Sequence, residues 1–376
     1  MHGTSIDFRW ATDGDLPELA RLYAARNGVN SIDHVRHQQY IRFLEYKYAR
    51  NPQAPRGVRI LVALEGSTIV GMRPVLPFTW MLNGQRYQGE WGTDFVVSGQ
   101  HRGKGIGTGL IREWHERSGS IAALASAPAS RHIYDKLGLR LFEDVPLAVA
   151  IIRPTLAFRQ AMGLRVKIAT VGAAGWKFVA AALAGQAPEF NIEPVGEFPA
   201  EMDPALVELS AAYRAIVVRT CATLNWRFGP EALTRHHRGI ATDGKRVRGY
   251  VVTRAGYDRR GVSGGIIADI LSAAGDEQTY RGLVRYALDH FRGNPAVSAV
   301  VCRASHPALL SALRAEGFAI IRRGHSFMFH PDRSQVDPED VAPTDQWHLT
   351  LGDSDGHFTF PWEAGSPSAL DQRIAQ

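Results

Sequence analysis

The sequence predicts an α/β protein made of two similar domains in tandem, and three observations predict it. One order of strand-like and helix-like segments runs through the chain twice. In both runs a helix ends on a glycine, Gly138 or Gly317, and a strand follows at once, the pattern of a left-handed helix stop. A basic, glycine-dense turn, "SGQHRGKGIGTGL", joins strand to helix in the first run only.

Composition sets the bounds. With 376 residues, 45% hydrophobic and 21% charged, the chain has apolar material for one large core or two of ordinary size. Forty-three basic residues against 37 acidic give a net charge of +6, an excess too mild to select a nucleic acid or any other partner. Cys221 and Cys302 have no paired spacing, so neither a disulfide framework nor a thiolate metal site is expected, and a reducing cytoplasm is. The first twenty residues lack the apolar stretch of a secretory signal.

Taken in order, "YIRFLEYKYAR" places Tyr40, Phe43, Leu44, Lys47 and Tyr48 at helical spacing, which reads as an amphipathic helix over a sheet rather than aromatics for stacking on bases. "ILVALEGSTIVGMRPVLPFTW" is two strand-like runs around a glycine turn. "GTDFVV" leads into the glycine turn, and "GLIREWHE" and "IYDKLGLRLFED" complete the pass as helix, then helix and strand. Counterparts follow: "LNWRF" echoes "LEYKY" at an offset of 180 residues, "RVRGYVVTRAGYDRRGVSGGIIADIL" repeats the strand pair, and "IADILS" aligns Asp269 with Asp94. "GLVRYALDH" and "ALRAEGFAIIRR" close the second pass. The expected division is a first domain over 1–150, an Ala-rich connection over 151–194, a second domain over 195–330 and a tail over 331–376. Within the connection, residues 166–185 are apolar but carry Lys167 and Lys177, which a membrane span rarely tolerates mid-way. A packed linker is the plain reading, and contact with a membrane surface the alternative.

The two passes differ at the strand-to-helix turn. The first has Gly103, Gly105, Gly107 and Gly109 beside His101, Arg102 and Lys104; the second has "SAAGDEQTYRGL", with Asp276 and Glu277 in that place. Were the glycines needed only for turning, the second pass would need them too. Glycines let a ligand approach the main chain, and the first amides of a helix have no intrahelical partner, so the turn reads as an anion site for a phosphate-bearing ligand. It is not a Walker loop, because Gly105 follows Lys104, and the dinucleotide fingerprint fails at Thr108 and at Leu110.

Gln100, His101, Arg102, Gly103, Lys104 and Gly105 match the Q/R-x-x-G-x-G/A signature of the GNAT superfamily of N-acetyltransferases, and "SRHIYDKLGL" at 130–139 resembles that family's second motif. The resemblance covers residues 5–145 well and 195–325 weakly. It implies two GNAT-like domains, each a mixed, mostly antiparallel sheet flanked by helices with a splayed central strand pair, the second with a degenerate cofactor site. It implies acetyl-CoA or another acyl-CoA as co-substrate and no metal. The pyrophosphate would rest on the amides of Arg102, Gly103, Lys104, Gly105, Ile106, Gly107 and Thr108, with Gln100 in the motif, and the pantetheine on the main chain of Phe95, Val96 and Val97. Tyr134 aligns with the family's general acid, where the second pass has Leu313; the plain alternative is a packing tyrosine. Glu90 is the expected base for the amine, and Asp94, on the same face by even spacing, is the weaker candidate because Asp269 matches it in a pass without the loop. His115 and His132 read as surface histidines.

The expected reaction is direct attack of a small amine on the thioester, since neither cysteine lies in the first domain. An amino sugar of polysaccharide biosynthesis is the first expectation for the acceptor, and a non-catalytic scaffold of the same fold is the competing class. "GDSDG" at 352–356 lacks the rest of a calcium loop and reads as a turn, and the adjacent His236 and His237 point apart.

Overall fold

The computed structural model describes residues 5–26, 32–55, 57–124, 128–139, 141–154, 156–157, 190–257 and 263–356. The apolar segment at 166–185 lies outside them, as does the end of the chain from residue 357. As far as the described residues go, the chain divides into two units, each discontinuous in sequence: one of Met1–Glu143 with His325–Val341, the other of Asp144–Gly324 with 342–356.

In the first unit, β1 (Ile6–Trp10), β2 (Ile60–Glu65), β3 (Thr68–Leu82) and β4 (Gln85–Gly92) form an antiparallel series. β2 is a run of five buried residues from Ile60 to Leu64, as a strand covered on both faces requires. β4 then pairs in parallel with β6 (Ser120–Leu124). Helix α1 (Leu16–Arg26) follows a Thr12–Asp15 capping box, and α2 (His34–Ala49) starts where Asp33 accepts from the Arg36 amide at 2.8 Å. Of the predicted face of α2, Phe43, Leu44, Lys47 and Tyr48 are buried and Tyr40 is half-buried, so one of its five members is a buried charge. α3 (Ile106–Arg117) and α4 (Pro128–Lys136) contribute Ile106, Leu110, Ile111, Trp114 and Tyr134 to a core shared with Leu61, Ala63, Ile121 and Met328. Complete burial of each large apolar side chain there stabilises by about 1.5–3 kcal/mol.

β6 is not closed by the strand that follows it in sequence. Phe327–His330 of β14 (Ala319–His330) pair antiparallel with Leu124–Ile121, and Phe327 and Phe329 pack on Trp91 and Trp80 at 5.9 and 4.7 Å between ring centroids. In the second unit the reciprocal arrangement holds: Leu147–Ile151 of β7 (Leu141–Ile151) pair antiparallel with β13 (Ala299–Arg303). Each unit thus completes its sheet with the closing strand of the other half of the sequence.

The second unit otherwise repeats the order of elements in the first. β8 (Asn191–Pro194), α5 (Asp203–Ala211), β9 (Ala215–Val217) and α6 (Cys221–Phe228) precede the antiparallel β10 (His237–Asp243), β11 (Arg246–Tyr257) and β12 (Ser263–Ser272). α7 (Glu277–Arg292) leads to β13, which pairs in parallel with β12, and α8 (Pro307–Ala315) leads to β14. The predicted boundaries shift accordingly. Residues 144–151 belong to the second unit and 325–341 to the first; the tail is no separate piece, because β15 (Trp347–His348) pairs with β9 and Trp347 is buried. Strand pairing joins segments far apart in sequence, which no linear division can show.

Candidate active site

Three features of the first unit converge at one end of its sheet. Among the described residues β4 and β6 pair from Gly89/Ser120 to Trp91/Ala122. Beyond that the strand passes through a bulge: between the pairs Gly92–Val75 and Val96–Met72, Thr93, Asp94 and Phe95 stand opposite Arg73 and Pro74. Asp94 takes φ +37°, rare for a residue with a Cβ, and the strand resumes as β5 (Val96–Val97) on β3. Among the described residues, the segment carrying Phe95, Val96 and Val97 therefore has no strand partner on the β6 side, while Val96 and Val97 pair with β3 on the other.

The glycine turn leaves β5 through a short helical turn at Gly99–His101 and enters α3. Its four glycines serve two purposes. Gly103 and Gly105 both have φ +81° with nothing near where a Cβ would be, so their conformation excludes other residues. Gly107 and Gly109 lie inside α3, where a Cβ would come within 3.2 Å of Phe95 and 2.5 Å of Phe8. These two are packing glycines, a correction to the reading of all four as ligand approach. The first bond of the helix runs from Gly109 N to Gly105 O at 3.0 Å, so the amides of Ile106, Gly107 and Thr108 precede any intrahelical donor. Arg102, Gly103, Lys104 and Gly105 are exposed, whereas His101 is held 3.2 Å from Glu65.

The corresponding helix start in the second unit is occupied by the protein itself. Asp276 accepts from the Thr279 amide at 2.9 Å and pairs with Arg248 at 2.7 Å. A carboxylate already sits where an anionic ligand would.

The two predicted bases are both engaged. Glu90 receives Arg59 on Oε1, and Trp114 Nε1 (3.0 Å) and Ser118 on Oε2, which ties β4 to α3. Asp94 receives Arg26 of α1 and Lys47 of α2, each at 2.6 Å, together with the Tyr48 hydroxyl. Burial alone would raise the Asp94 carboxyl, but the charges of Lys47 and Arg26 and the hydrogen bonds from Lys47 and Tyr48 outweigh it and hold it well below the carboxylate range. The two residues therefore face different helices. Even spacing puts residues on one face only within an unbroken strand, and the bulge breaks it.

Asp269 repeats the Asp94 arrangement. A bulge at Ala268 precedes it, Tyr250 donates to it at 2.7 Å and Arg219 pairs with it at 3.2 Å. The same Arg219 reaches Asp353 at 2.9 Å, so the "GDSDG" turn is an interior anchor rather than a surface loop. Among the described residues no cluster of histidine, cysteine or acidic side chains is arranged to hold a metal ion. His236 contacts Thr234 while His237 stacks on His290, so the pair does diverge. His132 is exposed, but His115 is half-buried against His330, at 4.9 Å between rings.

Tyr134 on α4 is 1% exposed, and its oxygen accepts a hydrogen bond of 2.8 Å from Arg73 Nη2. Arg73 is itself 3% exposed, lies 4.3 Å over the Trp114 ring and fills the space left by the missing Cβ of Gly92. It was not among the sequence candidates, although an arginine inside "TIVGMRPVLPF" was a visible signal: a charge in an otherwise apolar strand.

Residues 7–142 match the family model of the acetyltransferase (GNAT) domain. A search of curated proteins gives no match. Among solved structures the chain resembles a GCN5-related N-acetyltransferase from Anabaena variabilis (14% identity, TM-score 0.58, covering 87% of this chain and 73% of that one). It also resembles a GCN5-related N-acetyltransferase from Kribbella flavida (16%, 0.55, 87% and 71%). A third is the Saccharomyces cerevisiae N-myristoyltransferase with bound myristoyl-CoA (11%, 0.55, 93% and 90%). At these identities the likeness is one of fold. The family-model match itself covers residues 7–142 of the 376, so it is this stretch that is similar to the acetyltransferase (GNAT) domain.

Proposed function

We propose that the protein is an acyl-CoA-dependent N-acyltransferase that uses acetyl-CoA to acylate a small primary amine, with the first unit as its active unit. The observation that carries this reading is the row of amides at the start of α3, which follows Gly103 and Gly105 in the turn that leaves β5. Such amides, with the positive end of the helix dipole, favour a diphosphate, and the exposed Arg102 and Lys104 add charge. The edge of Phe95, Val96 and Val97 away from β3, unpaired among the described residues, suits the amide groups of a pantetheine arm. Acyl-CoA supplies the activated acyl group and a thiol leaving group.

With Glu90 and Asp94 serving as anchors, the amine enters as its free base and gives its proton to solvent. Tyr134 protonates the departing sulfur. Catalysis then rests on holding donor and amine together and on main-chain donors of the Phe95, Val96 and Val97 segment. A reducing cytoplasm fits two buried, unpaired cysteines, Cys221 and Cys302, and no described helix is long and apolar enough to cross a membrane.

Calorimetry with acetyl-CoA, longer acyl-CoAs and CoA, followed by free-thiol detection over a panel of amines that begins with amino sugars, tests the reading. Binding of acetyl-CoA, weakened about tenfold or more in Arg102→Ala/Lys104→Ala, is expected, as is amine-dependent release of thiol. No uptake of any CoA species at low salt would sink it.

A further inference from the structure

Arg73 is a buried guanidinium that donates to Tyr134 and, among the described residues, meets no carboxylate. Among the described residues its side-chain partners are the Tyr134 oxygen and the faces of Trp114 and Phe95, at 4.3 and 5.5 Å from the guanidinium carbon. Its Nε is buried without a hydrogen-bond acceptor. Burying an unneutralised cation is unfavourable by several kcal/mol, and contact with aromatic faces offsets only part of this, about 2 kcal/mol when desolvated. The arrangement is nonetheless built in. A Cβ on Gly92 would lie 1.6 Å from Arg73 Nη2, so the strand gives up a side chain to seat this group, opposite the bulge of Thr93, Asp94 and Phe95.

We propose that Arg73 is the positioning residue for Tyr134, a role that rests on the acyl-transfer reading above. The Arg73 N–H occupies an acceptor position of the phenol oxygen, which turns the Tyr134 O–H away from Arg73 and leaves it to donate to the sulfur. When the acyl C–S bond breaks, sulfur keeps the electron pair and takes the Tyr134 proton, and the phenolate left behind lies against the Arg73 charge. The acylated nitrogen loses one proton, which balances the one that sulfur gained and restores the phenol through solvent. This buried cation, without a carboxylate partner among the described residues, is thus matched to a charge that exists only during turnover.

Arg73→Met, Arg73→Lys, Gly92→Ala and Tyr134→Phe, with the double variant Arg73→Met/Tyr134→Phe, form the test in the full-length protein. Arg73→Met is expected to lower kcat at least about tenfold with KM for acetyl-CoA within about twofold, and to leave Tm unchanged or raised, because an apolar side chain replaces a buried charge. Gly92→Ala, which keeps Arg73 but displaces its tip, should lower kcat in the same way, and Arg73→Lys should restore part of it. In the Tyr134→Phe background Arg73→Met should cost no more than about twofold further, since residues acting as one unit are not additive. If wild-type protein turns over an amine and Arg73→Met does so at the same rate, or loses rate only in step with Tm, the positioning role is overturned and acyl transfer stands. If wild-type protein takes up no CoA species, both fall together.

Discussion

Lys47 Nζ lies 2.6 Å from Asp94 Oδ2, and neither side chain has appreciable contact with solvent. The pair joins α2 to the residue with φ +37° at the bulge. Lys47→Met should destabilise the protein by about 3–5 kcal/mol in urea unfolding, because it leaves a buried carboxylate short of a partner. Lys47→Met/Asp94→Asn should recover part of that loss. A change below about 1 kcal/mol in the single variant would show that Arg26 alone suffices.

Glu90 is expected to behave as an anchor. Glu90→Gln keeps the shape but removes the charge that receives Arg59, so Tm should fall while kcat stays within about threefold of wild type. A fall in kcat of about a hundredfold at unchanged Tm would instead return Glu90 to the role of base.

The glycines of the turn should separate by function. Gly105→Ala places a Cβ on a left-handed residue, strained by about 1–2 kcal/mol, and should weaken acetyl-CoA binding because the turn must change shape. Gly109→Ala should leave donor affinity intact and lower stability by about 1–3 kcal/mol, since the new methyl meets Phe8. Equal effects on binding would mean that all four glycines face the ligand.

Two imidazole pairs make stability sensitive to mild acid. Burial, then the neighbouring His290 and Arg238, depresses His237 to about 4; burial, then His115 and Arg333, does the same to His330. A base held below its ordinary 6.5 stabilises fully above that pH, and its contribution is lost as pH falls towards 4. Asp353 works in the opposite sense. Burial, opposed by Arg219 and reinforced by Asp269, raises it to about 6, so its contribution is present below 3.8 and lost as pH rises through 6. The urea midpoint should therefore fall between pH 6.5 and 4.5, less steeply in His237→Asn and in His330→Asn. Removing Asp353 in Asp353→Asn should steepen the fall. A midpoint flat over that range would contradict the depressed histidines.

Much of this architecture is written locally. The face of α2, the left-handed stops at Gly138 and Gly317 and the glycine turn follow from backbone preferences and apolar periodicity, which act over a few residues. Lys47 on an apolar helix face and Arg73 in an apolar strand were also legible as anomalies, each requiring a partner that the sequence does not name. The repeat even paired Asp94 with Asp269 and so pointed to their shared structural role.

By itself, then, the sequence determined the kind and order of the local elements and the glycine-dense entry into α3, because propensity and pattern are short-range. Only the tertiary structure decided which strand closes which sheet, that Glu90 and Asp94 face different helices, and that Arg73 meets Tyr134. Pairing and burial couple residues tens to hundreds of positions apart, and a one-residue bulge reverses every facing after it.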